Sequence, residues 1–129
     1  MSLGPDITEL LARARSDLRM GVPVVLHNGP GAALVLAAET AAAQRLADLL
    51  ALGGDPVLAI TARRAATLKA RAYDGDLARV ALPPEARLSW VRAVADPADD
   101  LRVPMKGPLT TLRDGPAHLH RLAILLAKS

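Results

Sequence analysis

The chain has 129 residues, enough for one domain with a single hydrophobic core. Hydrophobic residues make up 51% of the chain and aromatic residues only 2%, so we expect a core of Leu, Val, Ile and Ala. The lack of cysteine excludes disulfides, zinc–thiolate centres and thiol nucleophiles, and a formal charge of +3, spread along the chain, argues against a nucleic-acid-binding face.

The N-terminal third is predicted to form a helix followed by a β-hairpin. Residues 6–9 have the pattern of a capping box, and apolar residues then recur at helical spacing over 7–18. Strands are predicted at 23–27 and 32–38, joined by a turn at 28–31 that is rich in Asn, Gly and Pro. Because both strands are continuously apolar, we expect both faces of their sheet to be covered.

Helices and strands alternate through the rest of the chain, which favours a layered α/β domain. The predicted elements are a helix at about 41–52, a strand at 56–60, a short basic helix at 63–71, a strand at 77–82, a helix at 89–94, a strand at 109–113 and a final helix after Pro116. The final helix is apolar nearly all round and is expected to be buried on every side. Because it ends at Ser129 without a C-cap glycine, we expect a longer parent protein.

The histidines and the glycine-containing turn give no catalytic or metal-binding pattern. His118 and His120 are two residues apart, which places them about 200° apart around a helix, whereas helical metal pairs are spaced three or four apart. His27 has no carboxylate near it in sequence, so a structural hydrogen bond is its favoured role. A strand rather than a helix follows the turn at 28–31, which favours a hairpin turn over a phosphate-binding loop.

Two charged clusters are candidates for binding. The basic cluster consists of Arg63, Arg64, Lys69 and Arg71. Its three arginines are expected to share one side of a helix, where they either bind a phosphate, face an acidic partner or are solvated. Asp96, Asp99 and Asp100 are candidate cation ligands, but they lack the ligand spacing and the glycine of a calcium loop, so helix-end capping and solvation explain them more simply.

Four stretches of the chain carry a resemblance to a known family. The sequences DLRMGVPVVL at 17–26 and ALVLAAE at 33–39 are similar to the patterns "DLRxGxxVV" and "DLVxAAE" of dihydroxybutanone phosphate synthase, and residues 97–102 and 109–113 resemble that family's closing segment. The resemblance implies a three-layer α/β (α+β) domain with a mixed, twisted sheet. The chain departs from the family where its chemistry lies, because the short loop at 27–31 has no carboxylate to hold magnesium.

The second departure concerns the family's Gly-His-Thr-Glu near the last helix. Residues 117–121 read AHLHR here, so the glutamate has no counterpart and no catalytic role is carried over to His118. The chain as a whole is more similar to the N-terminal, degenerate synthase-like domain of some proteobacterial GTP cyclohydrolase II proteins. The stretches that carry this resemblance are 23–26, 33–39, 93–97, 104–108 and 122–129.

The closer resemblance implies a non-catalytic domain, residues 1–129, with a structural or dimerisation role in riboflavin biosynthesis. Its partners would be the cyclohydrolase domain of the same protein and a second copy in a homodimer. The final helix and the exposed sheet edge are expected to make these contacts. The cyclohydrolase zinc, held by three cysteines, would lie outside this chain, for which we expect no catalytic residue, metal or cofactor.

Two alternatives stay open at this stage. A divergent synthase would be an enzyme that binds a sugar phosphate through Arg63, Arg64 and Lys106 and turns over ribulose 5-phosphate with magnesium. A nucleotide- or RNA-binding module would show salt-sensitive binding, although the chain offers almost no aromatic residues for stacking. A cytoplasmic location is expected, because no signal peptide and no apolar run of ~20 residues is present.

Overall fold

The chain has a mixed α+β fold in the computed structural model, which describes residues 3–29, 31–101 and 109–128. The helices are α1 (Ile7–Arg19), α2 (Ala43–Ala51), α3 (Ala62–Thr67), α4 (Leu88–Ala95), a short 3-10 helix (Pro97–Asp99) and α5 (His118–Lys128). The strands are β1 (Val24–Asn28), β2 (Gly31–Val35), β3 (Val57–Thr61) and β4 (Leu77–Ala81). None of the helices found in these ranges is both long enough and apolar enough to span a membrane.

The N-terminal elements form as the sequence predicts. The Asp6 carboxylate accepts a hydrogen bond from the Glu9 backbone N–H at 2.8 Å, and the Glu9 carboxylate accepts one from the Asp6 N–H at 3.0 Å. This reciprocal capping box satisfies two backbone donors that the first turn of α1 would otherwise leave unpaired. Strands β1 and β2 pair antiparallel with Leu26 opposite Ala33, which confirms the predicted hairpin.

Only one face of this hairpin is covered. The inner face packs on Leu18 of α1 and Leu126 of α5. On the outer face, Val25 and Leu34 lie directly opposite each other and are 62% and 40% exposed. The expectation that both faces are covered is therefore wrong for the described residues, because α1 and α5 both pack on the same side of the hairpin.

The second sheet lies at the centre of the larger buried cluster. Strands β3 and β4 pair antiparallel, and Val80 of β4, Ala65 of α3 and Val94 of α4 are all fully buried. The predicted strand at 109–113 is reduced to one bridge between Thr111 and Val80. The mixed α+β class is thus as expected, but the described strands form two separate antiparallel pairs instead of one mixed sheet.

Two helix predictions need correction. Helix α3 ends at Thr67 because the chain turns through the left-handed conformation at Lys69, where φ is 60°, so Arg71 does not share a helix face with Arg63 and Arg64. Helix α5 is not buried on every side. Leu126 is buried, but Leu125 is 61% exposed, because one side of the helix meets no other described element.

The turn after α1 requires glycine at position 21. Gly21 has a φ of 77°, and a Cβ added there would lie 2.6 Å from the backbone oxygen of Thr40. Two hydrogen bonds hold the Gly21 and Thr40 backbones close together. The Thr40 hydroxyl donates to the Leu18 carbonyl, and Arg45 donates to the Gly21 carbonyl at 2.7 Å. The backbone at 40 therefore has little freedom to move away.

Replacing Gly21 with alanine is expected to lower the free energy of unfolding by about 3 kcal/mol, since left-handed strain and a backbone clash act together. Urea unfolding measures the effect. The matched control is Gly53→Ala: Gly53 also has a positive φ, 84°, but a Cβ there meets nothing within 4 Å. It should lose only about 1 kcal/mol. Equal losses in both variants would contradict the importance of the contact with Thr40.

Candidate functional site

The candidate anion site of Arg63, Arg64 and Lys106 stays a prediction, because only its two arginines are among the described residues. Arg64, only 8% exposed, turns inward from α3, whereas its neighbour Arg63 is exposed. Lys106, which the divergent-synthase alternative adds to these two arginines, lies outside the described residues. Arg63 and Arg64 therefore differ in exposure, although both are among the residues that line the groove between the two sheets.

Arg64 joins α3 to the end of α4. Its guanidinium donates to both carboxylate oxygens of Asp100 at 2.8 Å, to the Val94 carbonyl at 2.7 Å and to the Ala93 carbonyl at 3.0 Å. The bond to Asp100 raises the pKa of Arg64 from its ordinary value, although burial opposes this shift. Arg64 thus caps the C-terminal carbonyls of α4, where a cation is favoured by the helix dipole.

The acidic cluster completes this junction. Asp96 accepts a hydrogen bond from the Ala98 N–H at 3.0 Å and so caps the 3-10 helix. Helix-end capping is the role that the sequence favoured for this cluster. Asp100 is the ion-pair partner of Arg64. The structure does not describe the side chain of Asp99. Among the described residues, no group of three or more His, Asp or Glu side chains could hold a metal ion.

A second charged network surrounds Arg79, which the sequence analysis missed. Arg79 lies in the middle of β4, is 3% exposed and forms a two-pronged ion pair with Asp74 at 2.9 and 3.2 Å. It also donates to the carbonyls of residues 114–116, at 2.9 to 3.4 Å. The sequence could have indicated this network, because an arginine inside an otherwise apolar strand needs hydrogen-bond partners in the interior.

This network holds the start of α5 against the turn before β4. Arg121 of α5 pairs with Asp76 through two bonds of 2.7 and 2.8 Å. The bond from Arg121 holds the pKa of the exposed Asp76 carboxyl below its usual range, and the pKa of Arg121 is raised in turn. Between them, Arg79 and Arg121 fix the approach of α5 to the β3–β4 sheet.

The three histidines lie in different environments. His27 is exposed on the outer face of β1, and His118 is exposed at the start of α5. His120 is partly buried, and its Nδ1 is buried without a hydrogen-bond partner among the described residues. Burial lowers the pKa of His120, and the positive charge of Arg79 adds to this effect against a smaller opposing influence of Asp74. Their two-residue spacing is unlike that of helical metal pairs, and the absence of a joint metal site at His118 and His120 stays a prediction.

His120 is expected to make the protein less stable at mildly acidic pH. Because its pKa is lowered in the folded state, the unfolded chain binds more protons below the ordinary histidine pKa of about 6.5. The free energy of unfolding that neutral His120 contributes is fully present above about pH 6.5 and is lost as the pH falls towards the pKa of His120 in the folded protein. The free energy of unfolding, measured between about pH 7.5 and 5, should therefore decline less in His120→Gln than in the wild type.

The control for this pH dependence is His118→Gln. His118 lies two residues away on the same helix and is exposed, so this variant removes a histidine without removing the partly buried ring of His120. A His120→Gln variant with the wild-type slope would show that His120 does not carry the dependence.

An open groove of about 1460 Å³ lies between the two sheets. Strands β2 and β3 line its sides, and one stripe of α5, containing Leu119, Ala123 and Ala127, lines it as well. Its lining is mainly apolar, with Asn28, Thr67 and the two α5 histidines among its polar members. The groove is larger than the 300–1,000 Å³ typical of sites for small ligands.

Comparison with known proteins gives no family assignment. No family model, curated protein or solved structure matches the chain.

Proposed function

We propose that this chain is a non-catalytic, synthase-like N-terminal domain of a GTP cyclohydrolase II, and that its role is structural. The resemblance described above supports the proposal, and so does the mixed α+β composition of the fold. The finer assignment, a three-layer dihydroxybutanone phosphate synthase-like arrangement, is part of the same proposal. In it, the domain packs against its cyclohydrolase domain and against a second copy of itself.

The proposed non-catalytic role rests on one observation, the hydrogen-bond partners of Arg64. A sugar-phosphate enzyme needs cations whose donors are free to bind the phosphate. Arg64, a residue nominated for that task, instead directs its donors to Asp100 and to the carbonyls at the end of α4. Its charge contributes to holding the domain together, which is what a structural domain requires.

Exposed apolar side chains indicate where partner contacts would form. Val25 and Leu34 form a cross-strand pair on the outer face of the hairpin, and Leu122 and Leu125 are exposed on α5. Apolar side chains grouped on a surface are typical of protein–protein contacts. The proposal assigns the cyclohydrolase domain to the hairpin face and the second copy to α5.

The catalytic alternative is tested by assaying the purified chain with ribulose 5-phosphate and magnesium. We expect no turnover above the rate without protein. Turnover that requires both the chain and magnesium would overturn the non-catalytic proposal and favour a divergent synthase. Salt-sensitive binding of GTP or RNA to the chain would instead favour the nucleotide-binding alternative.

The structural role is tested by titrating the chain against a separately expressed GTP cyclohydrolase II catalytic domain from the same genome. The double variant Val25→Thr and Leu34→Thr keeps the β-propensity of the hairpin but makes its outer face polar, and it should weaken binding at least tenfold. The control Met20→Thr changes another exposed apolar residue, at the end of α1. No binding by the wild type, or equal binding by all variants, would contradict the proposed contact.

A further inference from the structure

The groove between the two sheets is bordered by two strand edges that have no partner strand among the described residues. Residues 31–39 and 55–61 line it without a gap. A sheet face would contribute alternate residues only, because successive side chains point to opposite faces, so the edges of β2 and β3 face the groove. In the part of the chain described, β2 pairs only with β1 and β3 only with β4. Each free edge therefore presents backbone N–H and C=O groups to the groove.

The hydrogen bonds on the far side of β4 show which backbone groups of β3 are free. There, the Arg79 carbonyl accepts from the Leu112 N–H at 2.7 Å, and the Ala81 N–H also donates away from β3. Residues directly opposite each other in an antiparallel pair point their backbone groups either towards each other or both outwards. Ala59 and Val57, the register partners of Arg79 and Ala81, therefore point theirs towards the groove. No backbone bond between described residues uses these groups.

Strands β2 and β3 run in opposite directions along the groove, as the start of α5 shows. Leu119 lies beside the first residue of β2, since a Cβ added at Gly31 would be 3.8 Å from it. Arg121 lies beside the end of β3, because it pairs with Asp76, whose carbonyl accepts from the Ala62 N–H at 2.9 Å. A strand placed between the two edges would be parallel to one and antiparallel to the other, and both arrangements pair backbone groups.

The walls of the groove are apolar in the middle and charged at the two ends. The stripe of α5 lines the middle on one side, and Val91 of α4 lines it on the other. Glu39 and Asp55 lie at the end where β2 stops and β3 starts, with Lys128 offsetting one of these two charges. The exposed Arg63 lies at the opposite end, after β3. This charge pattern is complementary to a segment that is apolar in its centre, basic at one end and acidic at the other.

We propose that the groove binds an extended segment of another protein with this charge pattern, which adds one strand between β2 and β3 and joins the two sheets. Both edges are five residues long. Backbone bonds to the two edges supply affinity, and the apolar walls select the side chains. A second copy of this chain offers no such segment among the described residues, because each of its strands is already paired. The inference does not depend on the proposed cyclohydrolase partner, which is assigned to the hairpin face.

A synthetic peptide tests the added strand. The probe is acetyl-Lys-Val-Thr-Val-Thr-Val-Glu-amide, in which threonine alternates with valine to limit self-association. Calorimetric titration of the chain should show saturable one-to-one binding. The same peptide with N-methyl groups on alternate residues keeps its side chains but loses donors along one edge, so it should bind about tenfold more weakly. Hydrogen exchange at the Val57 and Ala59 amides should slow about tenfold with saturating peptide.

The matched protein variants change Ala59. Ala59→Pro removes one free N–H without removing a bond to β4, as edge strands tolerate, and should weaken peptide binding about tenfold. Ala59→Val adds similar bulk but keeps the N–H, so it should bind as the wild type does. Absence of binding, or equal binding of both peptides to the wild type, would overturn the proposal even if Ala59→Pro folded poorly. Concentration-dependent protection of the Val57 and Ala59 amides without peptide would also overturn it, in favour of a second copy.

Discussion

Arg64→Ala is expected to lower the free energy of unfolding by about 3 kcal/mol. The substitution leaves the Asp100 carboxylate without its two-pronged partner and removes the donors to the buried carbonyls of Ala93 and Val94. This loss of stability is at the lower end of what breaking a buried ion pair costs, because the Asp100 side chain is about a third exposed and water can solvate it. Urea unfolding followed by circular dichroism measures the loss.

Arg63→Ala is the matched control for this prediction. Arg63 precedes Arg64 on the same helix and is exposed, so its removal should change stability by no more than about 0.5 kcal/mol. A double-mutant cycle with Asp100→Ala isolates the ion pair, and a coupling energy near zero would show that the pair does not stabilise the fold. Equal losses for Arg63→Ala and Arg64→Ala would contradict the structural role of Arg64.

Features encoded by neighbouring residues could be predicted from the sequence. The capping box at 6–9, the hairpin turn at 28–31 and the succession of helices and strands all depend on residues a few positions apart. Such signals reflect hydrogen bonds and backbone conformations that form within one or two turns of chain. Apart from the strand predicted at 109–113, the predicted elements accordingly lie within a few residues of the observed ones.

Features that depend on distant residues could not be predicted. Arg64 and Asp100 are 36 positions apart, and nothing local distinguishes Arg64 from the exposed Arg63 beside it. Which strands pair is set by the packing of whole elements, so alternation of helices and strands predicted a layered α/β domain but not the two separate antiparallel pairs that the described strands form. The inward position of Arg64 could not be predicted for the same reason, since burial of a side chain is decided by tertiary position.

Arg79→Ala is expected to have the largest effect of the substitutions considered, a loss of about 4 kcal/mol. Asp74 would keep a largely buried negative charge without its partner, and the carbonyls of 114–116 would lose their donor. Because these carbonyls lie directly before α5, hydrogen exchange in the first turn of α5 should also accelerate. Arg79→Lys should recover only part of the loss, since one ammonium cannot reproduce the guanidinium fork.

Arg113→Ala provides the control for Arg79→Ala. Arg113 lies in the same segment before α5 but is exposed, with its guanidinium 5.5 Å from the centre of the Tyr73 ring. An exposed cation–π contact of this kind contributes about 0.5 kcal/mol, so its removal should be close to neutral. Asp74→Asn should also be destabilising, because it leaves the buried Arg79 guanidinium without a countercharge, although the amide oxygen and the carbonyls of 114–116 can still accept from it. If Arg79→Ala unfolded at the same urea concentration as Arg113→Ala, the Arg79 network would not be what holds α5 to the central sheet.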